Sequence, residues 1–303
     1  MRSMRAGRRM PNRQNLRIKM TYRECYEQGC RTLQAAGIEE ATLDARLLLE
    51  AVCGTDRNDL LVHGEQPVMP QAEEKYLSWI RQRAEHIPLQ QLTGEQDFMG
   101  LTFSVNEHVL IPRQDTEILV EEVLKELHDR MRILDMCTGS GCILLSLLHY
   151  SNDCEGLGVD LSAEALEVAG QNVLKVLTPE KAEHAHFLQS DLFEKVEGKF
   201  EIIVSNPPYI ASAEVEKLMP EVRDHEPRMA LDGTEDGLHF YRRIIKEAGK
   251  HLVNSGMLFF EIGYDQGQAV SELMRAGGYR EVQVVQDYAG LDRVVLGTYC
   301  ERN

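Results

Sequence analysis

The sequence predicts an α/β fold: a domain of alternating strands and helices around a mostly parallel sheet, preceded by a small N-terminal helical domain and joined to it by a β-hairpin. Three observations predict it. From Asp115 onward, short apolar β-prone segments alternate with stretches of helical period, the pattern of parallel strands connected by right-handed crossovers. Residues 21–85 show helical spacing without strand alternation. Between them, Pro88, Gly94, Gly100 and Pro112 punctuate short β-prone pieces.

The chain has 303 residues, 43% hydrophobic and 27% charged, enough for one large domain and one small one. No apolar run approaches the roughly 18 residues that suggest a membrane span, so no membrane partner is expected. The window 141–148 is the most apolar, but it follows a glycine turn and reads as a buried helix. Seven cysteines, at 25, 30, 53, 137, 142, 154 and 300, include no Cys-x-x-Cys pair and no accompanying histidine pattern. Reduced thiols in a cytoplasmic protein and no metal site are the expectation.

Charge is distributed unevenly. Residues 1–19 hold seven cations and no acid, and those seven removed from the net −16 leave −23 on the remainder. A body that acidic repels a phosphate backbone, so no direct nucleic-acid partner is expected. The basic start lacks the apolar stretch of a secretory signal. It is Arg-rich like a transit peptide but lacks serine enrichment beyond Ser3. It is expected to be a disordered extension, with Met20-Thr-Tyr-Arg as the natural beginning.

The remaining boundaries are read as follows. Residues 20–86 form the helical, substrate-recognition domain. Thr42 is the expected cap of a helix holding Ala45–Val52, and another helix runs near Glu73–Ala84. Residues 87–112 form the hairpin linker, with strands at Phe98–Val105 and His108–Ile111. Residues 113–303 form the α/β domain. There Asp115-Thr116 caps a helix through Leu127, strand Arg132–Asp135 leads through a glycine turn to helix Cys142–Tyr150, and strand Gly156–Asp160 leads to helix Ala163–Val176 capped by Ser162. Later strands are His186–Gln189, Phe200–Ser205, Met257–Ile262, Glu281–Gln286 and Arg293–Thr298, with helices Leu238–Leu252 and Gln266–Ala276. Ligands of such sheets sit at the carboxyl ends of the strands, near the point where strand order reverses.

Two motifs carry chemistry. The first is the loop Asp135-Met-Cys137-Thr138-Gly139-Ser140-Gly141, between a strand and a helix. Its glycines let backbone approach a ligand closely. The next strand ends in Asp160, placed to accept hydrogen bonds from both hydroxyls of a ribose. A dinucleotide would need Gly-x-Gly-x-x-Gly, whereas this loop has two glycines and opens on an acid. Asp135 opposes a pyrophosphate but favours the cationic methionyl end of S-adenosylmethionine, directly or through water. After the third strand, Asp191 is placed for the adenine amine and Leu192 for its ring face. These observations predict a Rossmann-like class I S-adenosylmethionine-dependent methyltransferase domain.

The second motif is Asn206-Pro207-Pro208-Tyr209, after the apolar strand 200–205. Proline cannot continue a central strand, so the chain turns there, and two prolines stiffen the turn. An amide-type nitrogen is a poor nucleophile because its lone pair is delocalised. Two acceptors, Asn206 Oδ1 and the Pro207 carbonyl, can hold its two N–H groups and favour pyramidalisation. Tyr209 offers an aromatic wall against the flat group and a sulfonium methyl. Neither a strong base nor a metal is required.

Together these motifs resemble those of the HemK/PrmC family, protein-(glutamine-N5) methyltransferases acting on peptide chain release factors. Ile111-Pro-Arg-Gln-Asp-Thr-Glu117, Glu226-Pro-Arg-Met-Ala-Leu-Asp-Gly233 with Asp236-Gly-Leu, Tyr241-Arg242, Glu261-Ile-Gly and Gln266-Gly267 are similar to further family segments. The resemblance runs from about Met20 to the end. It implies methyl transfer from S-adenosyl-L-methionine, leaving S-adenosyl-L-homocysteine, to the glutamine of a Gly-Gly-Gln motif, by a cytoplasmic protein expected to be a monomer. It implies cofactor contacts at Cys137, Thr138, Gly139, Ser140, Gly141, Asp160 and Leu192, joined by Asp191 and Asn206. It implies a substrate-amide site at Asn206, Pro207, Pro208 and Tyr209, with Asn206, Pro207 and Tyr209 as catalytic residues. Arg113 and Thr116 match a segment near that site without an assigned step.

Three departures stand out. Cys137 replaces the usual glycine, and the expectation is that the position tolerates a side chain; a positive φ there would cost roughly 1–2 kcal/mol. Gln114 replaces a proline and is expected to loosen its turn. Leu192 stands where some relatives have an aromatic residue. Rival readings are a nucleic-acid amino-methyltransferase, disfavoured by the acidic body, and a non-catalytic binding module, disfavoured by the intact tetrapeptide.

Overall fold

The computed structural model describes residues 19–301. Of the extension expected at residues 1–19, residues 1–18 lie outside the described residues. The chain divides into two compact units between Glu85 and His86. Among the described residues no helix is long and apolar enough to cross a membrane.

The first unit is helical. It comprises α1 (Tyr22–Ala35), α2 (Ala41–Cys53), α3 (Arg57–Val62) and α4 (Pro70–Ala84). Thr21 caps α1 through a reciprocal capping box with Glu24, which satisfies two otherwise orphaned amides. Thr42 does not cap α2: the cap position is Glu40, without a side-chain bond, and Thr42 lies in the first turn. Helix α4 begins three residues before the expected Glu73, because Pro70 has the fixed φ and missing N–H that suit a first helical position. The helices meet around Leu33, Leu48, Leu49 and Tyr76, all buried. The Tyr76 hydroxyl donates to the Ala45 carbonyl at 3.2 Å, and Arg83 pairs with Asp44 at 2.7 Å inside the core.

The second unit opens with α5 (Leu89–Thr93) and a two-stranded hairpin, β1 (Glu95–Phe98) and β2 (Leu101–Ser104). The hairpin is three to seven residues earlier than its expected strands, and 108–111 is not a strand. Phe98 pairs with Leu101 across Met99-Gly100, both at positive φ, the turn whose twist matches that of paired strands.

The alternating region follows: α6 (Gln114–Glu126), β3 (Arg132–Met136), α7 (Cys142–Tyr150), β4 (Glu155–Asp160), α8 (Ala163–Val176), α9 (Pro179–Ala182), β5 (Ala185–Gln189), β6 (Phe200–Ser205), α10 (Ser212–Val215), α11 (Pro220–His225), α12 (Arg228–Leu231), α13 (His239–His251), β7 (Leu252–Glu261), α14 (Gly267–Ala276), β8 (Tyr279–Gln286) and β9 (Asp292–Tyr299). Seven strands form one sheet in the order β5-β4-β3-β6-β7-β9-β8. Only β9 runs opposite to the other six strands. The fold is that of a Rossmann-like class I methyltransferase.

Helix α6 corrects one expectation: Arg113 occupies its cap position, and Asp115 and Thr116 lie inside the first turn. Gln114 is the first helical residue, where a proline would also fit. Ser162 caps α8 as expected, accepting from Ala165 N. One apolar layer joins α6, α7, α8 and the hairpin phenylalanines to the sheet; a second joins α13 and α14 to it. Strand order reverses between β3 and β6, so the loops leaving these strands part and open a crevice at their carboxyl ends.

Candidate active site

A cavity of about 510 Å³ occupies that crevice, within the range of small-molecule sites. Cys137, Thr138, Gly139, Ser140, Asp160, Asp191, Leu192, Asn206 and Pro208 all line it. Gly141 is not in the lining; at φ +78° it is the cap residue of α7, with Ala169 and Leu145 too close to admit a side chain without adjustment.

The loop after β3 is held by short-range bonds. Thr138 N donates to the Val159 carbonyl at 3.0 Å and Gly141 N to the Thr138 carbonyl at 2.9 Å. Gly139 N donates to Asp160 Oδ2 at 2.9 Å, and Ser162 N to Asp160 Oδ1 at 3.0 Å. Both Asp160 oxygens are thus held by backbone amides at the cavity wall, placed to accept from a pair of vicinal hydroxyls. Burial pushes its carboxyl above the usual range, opposed by the amides of Ser162, Gly139 and Leu161.

Asp135 is placed differently from expectation. It is fully buried beneath the loop, absent from the cavity lining, and accepts the Thr138 hydroxyl at 2.6 Å. Its carboxyl is pushed up to about 7 by burial, against the Thr138 hydroxyl and the Leu144 amide. It holds the loop from beneath through Thr138. Cys137 sits at φ +64°, contrary to the expectation of an unstrained position. An L side chain there crowds the following carbonyl, a cost of about 1–2 kcal/mol. Burial pushes its thiol well above the ordinary range.

Asp191 pairs with Arg243 at 2.9 Å through Oδ1, which leaves Oδ2 for a donor in the cavity. Leu192 is buried in the wall at φ +50°. Phe193, behind it, stacks on His251 with centroids 5.0 Å apart.

The donor set fits S-adenosylmethionine. Asp160 and Asp191 offer acceptors for hydroxyls and an amine, Val159, Ile143 and Leu192 offer apolar faces, and Gly139 leaves open the space a Cβ would take.

On the other side of the crevice stands the tetrapeptide after β6. Asn206 Nδ2 donates to Thr116 Oγ1 at 3.5 Å. Among the described residues nothing donates to the Pro207 carbonyl. Pro207 and Tyr209 are not in the cavity lining. The Tyr209 ring packs against the second apolar layer and its hydroxyl donates to Glu261 Oε1 at 3.3 Å, so it stands behind the tetrapeptide. The Tyr209 carbonyl accepts from Gln266 Nε2 at 2.9 Å. Gly237, at φ +72°, passes so near that a Cβ would lie 2.3 Å from that carbonyl; only glycine permits this crossing.

Residues without an assigned role complete the wall. His108, Leu110, Pro112 and Arg113 line it together with Pro227, Met229 and Phe240. Arg113 is ion-paired with the buried Glu226, tying two wall segments together. Asn172 holds the loop from below, donating to the Ser140 and Ser104 carbonyls and accepting from Ser104 N. Its sequence signal was available: it falls on the apolar stripe Ala165, Val168, Ala169, Val173, Val176 of α8.

Comparison with known proteins identifies the family. Residues 24–94 match the family model of the PrmC N-terminal domain, and residues 113–222 that of the methyltransferase small domain. A release factor glutamine methyltransferase of Agrobacterium fabrum is 41% identical over 269 residues, covering 87% of this chain and 92% of the relative. One from Moorella thermoacetica is 44% identical over 281 residues, covering 91% and 98%. A solved protein-(glutamine-N5) methyltransferase (release factor-specific) of Alicyclobacillus acidocaldarius is 30% identical, spanning 66% of this chain and all of that one, with a TM-score of 0.38. With such identity sustained over nearly its whole length, the chain belongs to the release factor glutamine methyltransferase family.

Proposed function

We propose that this protein methylates the side-chain amide nitrogen, N5, of the glutamine in the Gly-Gly-Gln motif of peptide chain release factors. The observation that carries this reading is the position of Asn206, which lines the same cavity as Asp160 and the 137–140 loop, across the crevice between β3 and β6. S-adenosylmethionine supplies the electrophilic methyl group and leaves as S-adenosylhomocysteine. Asp160 holds its ribose, Leu192 and Asp191 its adenine, and the 137–140 loop its methionyl end. Asn206 Oδ1 and the Pro207 carbonyl accept the two N–H groups of the glutamine amide, which orients the nitrogen lone pair. The new N–C bond forms as the S–C bond breaks. The nitrogen then loses a proton made acidic by its own positive charge, so no base has to be in place beforehand. Pro208 stiffens the turn, and Tyr209 anchors it to Glu261.

The substrate is a protein rather than a nucleic acid on this reading, because a net charge of −16 opposes a phosphate backbone. The enzyme works as a monomer in the cytoplasm, and the helical unit recognises the release factor. Mass spectrometry of a release factor incubated with enzyme and S-adenosylmethionine tests the proposal. One added methyl group on the Gly-Gly-Gln glutamine is expected; methylation elsewhere only, or of a nucleic acid instead, overturns it.

A further inference from the structure

Between the cofactor loop and the hairpin lies one fully buried amide, that of Asn172 in α8. Its Oδ1 accepts from Ser104 N at 2.7 Å. Its Nδ2 donates to the Ser104 carbonyl at 3.0 Å and to the Ser140 carbonyl at 2.9 Å. The hairpin explains why Ser104 needs it. Phe98 pairs with Leu101 across a two-residue turn, and from there bonded and unbonded pairs alternate along the ladder. Ser104, opposite Glu95, falls on an unbonded pair, so its N–H and carbonyl point away from β1. Asn172 meets both, as a neighbouring strand would.

The geometry fixes the polarity of this amide. Ser104 N can only donate and the two carbonyls can only accept, so one orientation alone makes all three bonds. The two hydrogens of Nδ2 are divided between two segments. One goes to Ser140, in the cavity wall. The other goes to Ser104, the residue from which the segment 105–113 leaves the hairpin. His108, Val109, Leu110, Pro112 and Arg113 of that segment line the same cavity. Val105 and Val109 are buried against Ala165 and Val168, in the turns of α8 that precede Asn172. The wall segment is thus attached to α8 by this apolar contact and, at its root, through Asn172.

We propose that Asn172 is a positioning residue that couples the cofactor loop to the wall segment 105–113. A cofactor that steadies Ser140 steadies Ser104 through the shared amide, and with it the root of the wall. This rests on the reading of residues 137–140 as the loop that meets the cofactor. Hydrogen exchange of the full chain, read by mass spectrometry with and without S-adenosylhomocysteine, tests it. In the wild type, exchange should slow at 137–141 and also in β2, whose residues lie outside the cavity lining. Slowing at 137–141 with none in β2 overturns the coupling alone; slowing at neither overturns the cofactor-loop reading with it. Asn172→Asp keeps an acceptor for Ser104 N but, when ionised, has no hydrogen for either carbonyl. It should weaken the Kd for S-adenosylhomocysteine about tenfold, the scale of one lost hydrogen bond. It should also abolish the slowing in β2 at saturating ligand. Val176→Ala, buried in the same helix, should lower the denaturant midpoint yet keep both the Kd and the slowing. An unchanged Kd or retained slowing in Asn172→Asp, or the same losses in Val176→Ala, overturns the proposal. The wild-type comparison needs no variant, so it decides the matter even where Asn172→Asp does not fold.

Discussion

The loops after β3 and β6 face the same cavity, yet they are held in opposite ways. The cofactor loop is fixed by bonds to its own strand and the next one: Thr138 to Asp135 three residues back, and Gly139 to Asp160 21 residues on. The tetrapeptide is fixed from afar. Asn206 leans on Thr116, 90 residues earlier, and Tyr209 on Glu261 and Gln266, 52 and 57 residues later. The first loop is a nearly self-contained device for a cofactor; the second is assembled only when α6, β7 and the 233–237 crossing are in place. Binding and chemistry should therefore fail separately.

Asn206→Ala is the largest test of that separation. It removes one preorganised polar group from the reacting centre, for which losses of about 10²–10³ in kcat are typical. Affinity for S-adenosylhomocysteine should persist within a few-fold in calorimetry. Loss of cofactor binding of the same size would mean the two loops act as one site.

Asp160→Ala should fail in the complementary way. It deletes a charged acceptor of ribose hydroxyls and also frees Gly139 N. With hydrogen bonds to charged groups contributing about 1.5–3 kcal/mol, the cofactor Kd should weaken roughly 10–100-fold. At saturating cofactor, kcat should fall much less. An unchanged Kd would refute the ribose assignment.

The same contrast explains what was legible in the sequence. Asp135, the 137–141 loop, Asp160 and the tetrapeptide each lie on a few consecutive residues flanked by readable strands, and helix Cys142–Tyr150 and strand Phe200–Ser205 match the expected bounds. The supports do not announce themselves. Thr116 looks like a helix cap because threonine near a helix start usually is one, but Arg113 takes that position and the Thr116 hydroxyl accepts from Asn206 instead. Glu261 and Gln266 acquire their roles only from the β6–β7 pairing. The hairpin was displaced because Met99, a poor turn former by type, adopts positive φ. Tyr209 suits a cavity wall by its ring, whereas in the fold its hydroxyl finds a buried carboxylate.

A pH titration sharpens the comparison, since a buried carboxyl lies under each loop. Burial raises Asp135 to about 7 and Glu261 to about 6. Both are carboxylates above those values and neutral below them. As pH falls through about 7, Asp135 gains a proton and the loop loses negative field, so affinity for cationic S-adenosylmethionine should weaken by less than tenfold, and more than for S-adenosylhomocysteine. As pH falls further through about 6, Glu261 gains a proton and the carboxylate charge that accepts the Tyr209 hydroxyl is lost. The groups facing it are Thr116, Tyr209, Arg293 and Asp115, and none of them replaces the lost acceptor. At saturating cofactor, kcat should then fall, and Glu261→Gln should flatten this step while leaving the step in Kd. A single step shared by kcat and Kd would contradict independent support of the two loops.

The smallest expected effect concerns Cys137 alone. At φ +64° its side chain is strained by about 1–2 kcal/mol, and glycine would remove that strain. Glycine also has more conformational freedom to lose on folding, roughly 0.5–1 kcal/mol. The thiol packs against the second apolar layer, so its removal gives back part of the gain. Cys137→Gly should therefore raise folding stability by no more than about 1 kcal/mol, read in denaturant as a midpoint shift at constant slope. A clear fall in the midpoint would show that packing of the thiol outweighs the strain, and that the cofactor loop is held by side-chain burial as well as by its local bonds.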